Sequence, residues 1–185
     1  MHQSRIASPY AKSLLLFAGE RGVLEQVKND MNLFIKVCSE NHILLHVFKN
    51  PIISQDKKEK ILTSLFKGRF NDMTLSLFKI INRKNRDAYL LDIALEFEHQ
   101  YKALKGIQEA EVTSAYTLTT EQKQAFVGMV ENISGKKAEL KEKIDESIIG
   151  GFILRIEDRQ VDESIKSKLE KLKSNFKDNS YISKF

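Results

Sequence analysis

Apolar residues recur along the first hundred positions at the three- and four-residue steps of an α-helix, and further on they partly switch to the alternation of a β-strand. Ile6, Tyr10, Leu14 and Phe17 form the first stripe. Ser8-Pro9 reads as a cap followed by a first-turn proline, and Gly19 and Gly22 bracket the stop. The stripe Leu24, Val27, Met31, Phe34 and Cys38 predicts a second helix from Val23 to about Glu40. Asn41 is placed to cap a short third helix carrying Ile43, Leu44, Val47 and Phe48. Asn50-Pro51 ends it, because proline has no N–H to donate and restricts its predecessor. Ser54 opens a fourth helix with Ile61, Leu62, Leu65 and Phe66, stopped near Gly68. Asn71 or Asp72 caps a fifth with Met73, Leu75, Leu77, Phe78, Ile80 and Ile81. That helix is apolar around most of its circumference, so it is either central in a bundle or keeps a second face for a partner. The sixth runs from about Asp87 to Lys105 with Leu90, Ala94, Phe97, Tyr101 and Leu104, and Gly106 closes it.

The period then changes. Glu109 to Ser114 alternates as a half-buried strand. Thr119 with Gln122 makes a capping box for a helix holding Phe126, Met129, Val130 and Ile133, ended by Gly135. From Lys137 to Asp145 the chain alternates again, Ala138, Leu140 and Ile144 on one side and Lys137, Glu139, Lys141 and Lys143 on the other. Gly151 to Ile156 is a further strand, Glu157-Asp158-Arg159 its turn, and Val161 lies on the return. Asp162 caps a last helix with Ile165, Leu169, Leu172 and Phe176, and the polar tail from about Lys177 is expected to fray. The fold expected is α+β overall: a six-helix bundle over residues 1–105, then a small α+β domain over residues 106–185.

Composition adds three constraints. Of the 185 residues 42% are hydrophobic, enough to bury a core, and no apolar run approaches the ~18 residues of a membrane span. The single cysteine, Cys38, allows no internal disulfide and fits a reducing compartment. The net charge of +5 is uneven: 17 basic and 11 acidic residues lie up to Lys105, against 13 and 14 after it. This asymmetry suggests two units with different partners, the basic one suited to nucleic acid, anionic lipid or an acidic protein segment.

Candidate chemistry is thin. Cys38, His42 and His46 have a metal-compatible spacing, but Asn41 breaks the helix that would align them and no fourth ligand is apparent. Gly150-Gly151 precedes a strand, whereas a phosphate loop needs strand, glycines, then helix; the glycines are read as permitting a bulge or a tight backbone approach at the strand's start. Lys79, Arg83, Lys84 and Arg86 form the densest basic patch, as cations at a helix C-terminus commonly do. There is no nucleophile elbow of the form G-x-S-x-G. The chain is read as non-enzymatic, with no catalytic, cofactor or metal site. On charge alone, the rival reading is a small basic nucleic-acid-binding adaptor.

Several segments, in order along nearly the whole chain, resemble a known family. Arg5-Ile6-Ala7-Ser8-Pro9-Tyr10-Ala11-Lys12-Ser13-Leu14 resembles the N-terminal signature of the ATP synthase delta subunit family, with Ser13 in place of the usual alanine. Asn50-Pro51-Ile52-Ile53, then Lys57 and Lys58, is similar to its Asn-Pro segment. Asn85-Arg86, with Leu90, Leu91, Ile93 and Phe97, resembles its Asn-Gly-Arg junction, Asn85 taking the place of glycine or a similar turn residue. Ala110 to Leu118 matches a strand of the family. Most specific is Asp145 through Ile148-Ile149-Gly150-Gly151, then Arg155-Ile156, Asp162, Ser164, Leu169 and Leu172; Glu163 stands where glycine is frequent.

The resemblance implies a stator subunit of an F-type ATP synthase that links the α/β catalytic head to the peripheral stalk b subunits and resists rotor torque. The mitochondrial relative is the oligomycin-sensitivity-conferring protein; the lack of a transit peptide favours the bacterial form. The family's bundle receives the N-terminal segment of an α subunit between its first and fifth helices, here expected at Tyr10, Leu14, Phe17, Leu77, Phe78 and Ile81. Its second domain binds the b subunits, and the signature positions there are Asp145, Gly150, Gly151, Arg155, Asp162 and Ser164. One copy per complex, no nucleic acid, and contact with the cytoplasmic face of the membrane only through the complex complete the expectation.

Overall fold

The computed structural model describes residues 2–178. Six α-helices come first: α1 (His2–Glu20), α2 (Leu24–Glu40), α3 (His42–Lys49), α4 (Gln55–Phe66), α5 (Asp72–Arg83) and α6 (Leu90–Lys105), with a 3₁₀ turn at Asp87–Tyr89 before α6. Then come β1 (Ile107–Ser114), α7 (Thr120–Ser134), β2 (Lys137–Ile144), β3 (Phe152–Ile156), β4 (Arg159–Asp162) and α8 (Ile165–Asp178). The chain divides into two compact units between Lys105 and Gly106. The fold is α+β, as the change of period predicts. Residues 179–185 of the tail expected to fray lie outside the described residues.

In the helical unit the a/d-like stripes meet in one core. Phe34 on α2 is its centre, in ring contact with Phe48, Phe66 and Phe78 at 6.3, 5.6 and 4.8 Å. Burying each such ring contributes about 1.5–3 kcal/mol, and tilted ring pairs add about 0.5–1.5 kcal/mol beyond area. Buried polar ties set the order of the helices. Lys58 on α4 donates to the Phe48 carbonyl at the end of α3, at 2.8 Å, and pairs with Asp87 beside α6. Asp30 on α2 accepts from the Asn71 N–H and the Thr74 hydroxyl at 2.8 and 2.7 Å, pinning the start of α5. Gln100 on α6 donates to the Ser8 hydroxyl at 2.9 Å.

Three helix starts differ from expectation. Pro9 lies inside α1, not in its first turn. Ser8 is held there by Gln100, and Ala7 before it is buried in the core, so tertiary packing carries the helix through a residue that cannot donate an i→i−4 bond. Asn41 does not cap α3 with its side chain; its amide donates backward to the Val37 carbonyl at 3.2 Å and closes α2. Asp162 does not cap α8 itself. The Ser164 hydroxyl accepts from the Ser167 N–H at 3.2 Å, and Asp162 supports that cap from two residues earlier by accepting from the Ser164 N–H. Asn71 caps α5 through the Met73 N–H, and the Thr119–Gln122 capping box of α7 forms as expected.

The second unit is a four-stranded sheet in the order β2-β1-β3-β4. β1 pairs parallel with β2, and antiparallel with β3, which pairs antiparallel with β4. α7 is the crossover that the parallel β1–β2 pair requires. Its Val130 and Phe126 pack with Ala110, Val112, Leu118 and Leu154 as a separate, smaller core. Ala138 and Leu140 pack against this core, but Ile144, expected on the same side, is exposed at the end of β2.

Candidate docking faces

α5 buries Thr74, Phe78, Ile81 and Asn82 in the bundle core. Its second apolar face follows the steps Met73, Ser76, Leu77 and Ile80, and this face meets Ser13, Leu14 and Phe17 of α1 across an open cleft of about 630 Å³. Arg21 and Asp72 stand at one end, where α1 finishes and α5 begins. Phe17 is 58% exposed and Ile80 48% exposed, so large apolar surface on both walls is open to water. From Ser13 to Arg21 this wall spans about 12 Å at 1.5 Å per residue, the length of about two turns of a docked helix.

The six expected groove residues divide. Leu14, Phe17 and Leu77 line the cleft. Phe78 and Ile81 do not: they are 1% and 0% exposed in the aromatic core, because an apolar helix with two faces gives one of them to the bundle. Tyr10 lies beyond the lining. Its hydroxyl accepts from the Arg86 guanidinium at 2.8 Å, and the guanidinium sits 5.7 Å from the ring centre. Met73, Ser76 and Ile80 were not expected; the signal that finds them is their i, i+3, i+7 spacing on the side of α5 opposite Phe78 and Ile81.

The basic patch continues this face. Arg83 and Lys84 are exposed at three and four residues beyond Ile80, and Arg86 is fastened to Tyr10. Among the described residues no carboxylate pairs with these three cations. Cys38 is buried in α2, its thiol pushed up to about 11 by desolvation, whereas His42 and His46 are exposed on α3. Among the described residues no group of three or more His, Cys, Asp or Glu could hold a metal ion.

In the sheet unit Gly150, Gly151, Asp162 and Ser164 build a joint. The Gly150 carbonyl accepts from the Ile165 N–H and the Phe152 carbonyl from the Glu163 N–H, both at 2.9 Å, fixing the start of α8 against β3. A Cβ at Gly151 would lie 2.3 Å from the Glu163 carbonyl oxygen, so only glycine permits this approach. The Asp162 carboxylate accepts from the Ser164 N–H and the Ser167 hydroxyl at 2.9 and 2.6 Å. These bonds, the Ser167 hydroxyl foremost, hold the Asp162 carboxyl below its ordinary range. Asp145 caps the 3₁₀ turn Glu146–Ile148 by accepting from the Ser147 N–H, and is likewise lowered. Arg155 takes no part in the joint; it is exposed and reaches the Glu157 carbonyl at 3.5 Å.

The joint presents α8 with its apolar stripe uncovered. Ile165, Leu169, Leu172 and Phe176 are 44%, 52%, 52% and 77% exposed. Their steps of four, three and four are those of a coiled-coil seam. A smaller cleft of about 310 Å³ lies between α7 and the sheet, lined by Tyr116, Leu118, Phe126, Met129 and Phe152 among others.

Comparison with known proteins gives one answer. The family described as "ATP synthase delta (OSCP) subunit" matches residues 6–176. "ATP synthase subunit delta" of Cytophaga hutchinsonii is 43% identical, over 95% of this chain and 96% of that protein. The protein of the same name from Amoebophilus asiaticus is 39% identical, over 93% and 94%. Among solved structures, a chain of the Toxoplasma gondii mitochondrial ATP synthase hexamer has the same fold, with a TM-score of 0.72 over 92% of this chain and 96% of that one, at 21% identity.

Proposed function

The chain belongs to the ATP synthase delta (OSCP) subunit family, and from that premise we propose how it serves as a stator: it is a non-catalytic connector with a separate docking face on each unit. The helical unit takes the N-terminal helix of an α subunit in the α1–α5 cleft. The sheet unit takes the end of the peripheral stalk b subunits on α8. The observation that carries this reading is the pairing of an uncovered apolar cleft on one unit with an uncovered apolar helix on the other. Each face is the length and pattern of a helix-in-groove or helix-on-helix contact.

Rotor torque is resisted only if head and stalk are held at once. Two modest contacts on one chain suffice, because once one end is bound the other binds at high effective concentration. One copy per complex, on the cytoplasmic side, satisfies both contacts. Among the described residues no helix is long and apolar enough to cross a membrane, so the stalk supplies the link to it.

The test is titration calorimetry of the full-length chain with a peptide copying the N-terminus of the α subunit from the same organism. The peptide binds the parent chain, and Leu77→Asp abolishes binding while the circular dichroism shows the bundle still folded, with a melting temperature lowered because Leu77 also packs against the core. A Leu77→Asp chain that is folded and binds like the parent rejects the cleft as the docking face.

A further inference from the structure

Ile149 sits between the 3₁₀ turn and the glycine pair with φ 69° and ψ −39°. Among the described non-glycine residues with positive φ, the others are Asn85 and Glu157. Asparagine tolerates that region, and Glu157 lies in the two-residue turn of the β3–β4 hairpin. For a β-branched side chain the conformation is an outlier. It is also not required by packing: Ile149 is 63% exposed, whereas its neighbour Ile148 is buried in the unit. The chain is held on both sides. The Ile149 N–H donates to the Glu146 carbonyl, and the next carbonyl, that of Gly150, accepts from Ile165, the first residue of the uncovered stripe. A Cβ at Gly150 would lie 2.8 Å from Ile165 Cδ1, so residue 149 is one peptide away from that stripe. Strain of this kind persists at sites where function uses it.

The α8 stripe is flanked by Lys166 and Lys173 on one side and by Lys168 on the other, all exposed, with Lys168 also reaching Glu163 at 2.8 Å. A partner helix complementary to this border carries carboxylates beside its apolar seam. We propose that Ile149 is a strained docking knob that extends the Ile165–Leu169–Leu172–Phe176 face, and that this face packs on an acidic amphipathic helix of the stalk. The proposal rests on the reading that the sheet unit docks the stalk.

The experiment uses the full-length chain, the soluble part of the stalk b subunit from the same organism, and the variants Ile149→Gly and Leu172→Asp. Ile149→Gly relieves the backbone and removes the knob, so stability and binding move in opposite directions. The melting temperature of the free chain rises by about 2–4 °C. Affinity for the stalk falls about ten- to a hundred-fold, the loss expected for one buried isoleucine side chain. A structural role for Ile149 lowers the melting temperature instead, and that result overturns the proposal. Leu172→Asp separates the two levels. If it abolishes binding while Ile149→Gly binds within about twofold of the parent, the docking face stands and the knob is rejected. If the parent chain does not bind the stalk fragment, the reading of the sheet unit falls and the knob with it.

Discussion

Gly151→Ala tests whether the joint at the start of α8 holds the sheet unit together. The new methyl lies 2.3 Å from the Glu163 carbonyl oxygen, 3.1 Å from the Glu163 carbonyl carbon and 3.1 Å from Ser164 Cα. All three are main-chain atoms, so no rotamer change can withdraw them. The position also has φ 76°, which costs an alanine roughly 1–2 kcal/mol. Pushing the Glu163–Ser164 main chain aside adds about 1–3 kcal/mol, typical of overpacking, for a total of about 2–5 kcal/mol. That is a large share of the stability of a small unit. Gly150→Ala serves as the control: its methyl meets only the flexible tip of Ile165, at 2.8 Å and without the left-handed φ, and costs about 1 kcal/mol. Hydrogen exchange read by mass spectrometry separates the units. Gly151→Ala accelerates exchange across residues 106–178 and leaves the helical unit as in the parent, with Gly150→Ala in between. Equal protection in the parent and Gly151→Ala would refute the close approach on which the joint depends.

Three further outcomes follow from the same structure. Lys58→Met leaves the Asp87 carboxylate and the Phe48 carbonyl buried without their partner, and lowers the unfolding free energy of the helical unit by about 3–5 kcal/mol in denaturant titration. Asp162 is lowered by its Ser167 and Ser164 bonds, so its contribution is present above the ordinary aspartate value near 4 and is lost as pH falls below it. Thermal melts of Asp162→Asn are therefore less acid-sensitive below about pH 4 than those of the parent. Gly128 lies mid-helix in α7 with nothing within 4 Å of an added Cβ, so Gly128→Ala raises stability by about 0.5–1 kcal/mol, measured as a higher melting temperature.

How much of this was legible beforehand depends on whether a local rule or a tertiary contact decides each feature. The Thr119–Gln122 capping box and the Gly135 stop are local, and they read directly. The break in period near Lys105 marks where a helical stripe ends and an alternating strand begins, and it also reads directly. Asn85 takes φ 55°, a conformation asparagine tolerates. Pro9 misled because a local rule starts the helix there, whereas Gln100, 92 residues on from Ser8, helps hold the earlier turn in place. On α5 the pattern announced two apolar faces without saying which one the bundle takes. Phe78 and Ile81 went to the core because Phe34 and Phe70 are there to meet Phe78, and Leu77 and Ile80 were left to the cleft. The strain at Ile149 has no sequence signal at all, since isoleucine is a poor choice for that backbone.

The central claim is that this chain transmits force and does no chemistry. Inside-out membrane vesicles stripped of the chain, then refilled with parent or Leu77→Asp protein, measure it through ATP hydrolysis and ATP-driven ion pumping in the same sample. Hydrolysis by the head persists in every sample, while pumping returns with the parent and stays absent with Leu77→Asp. Pumping at the parental level in vesicles that lack the chain would contradict the account.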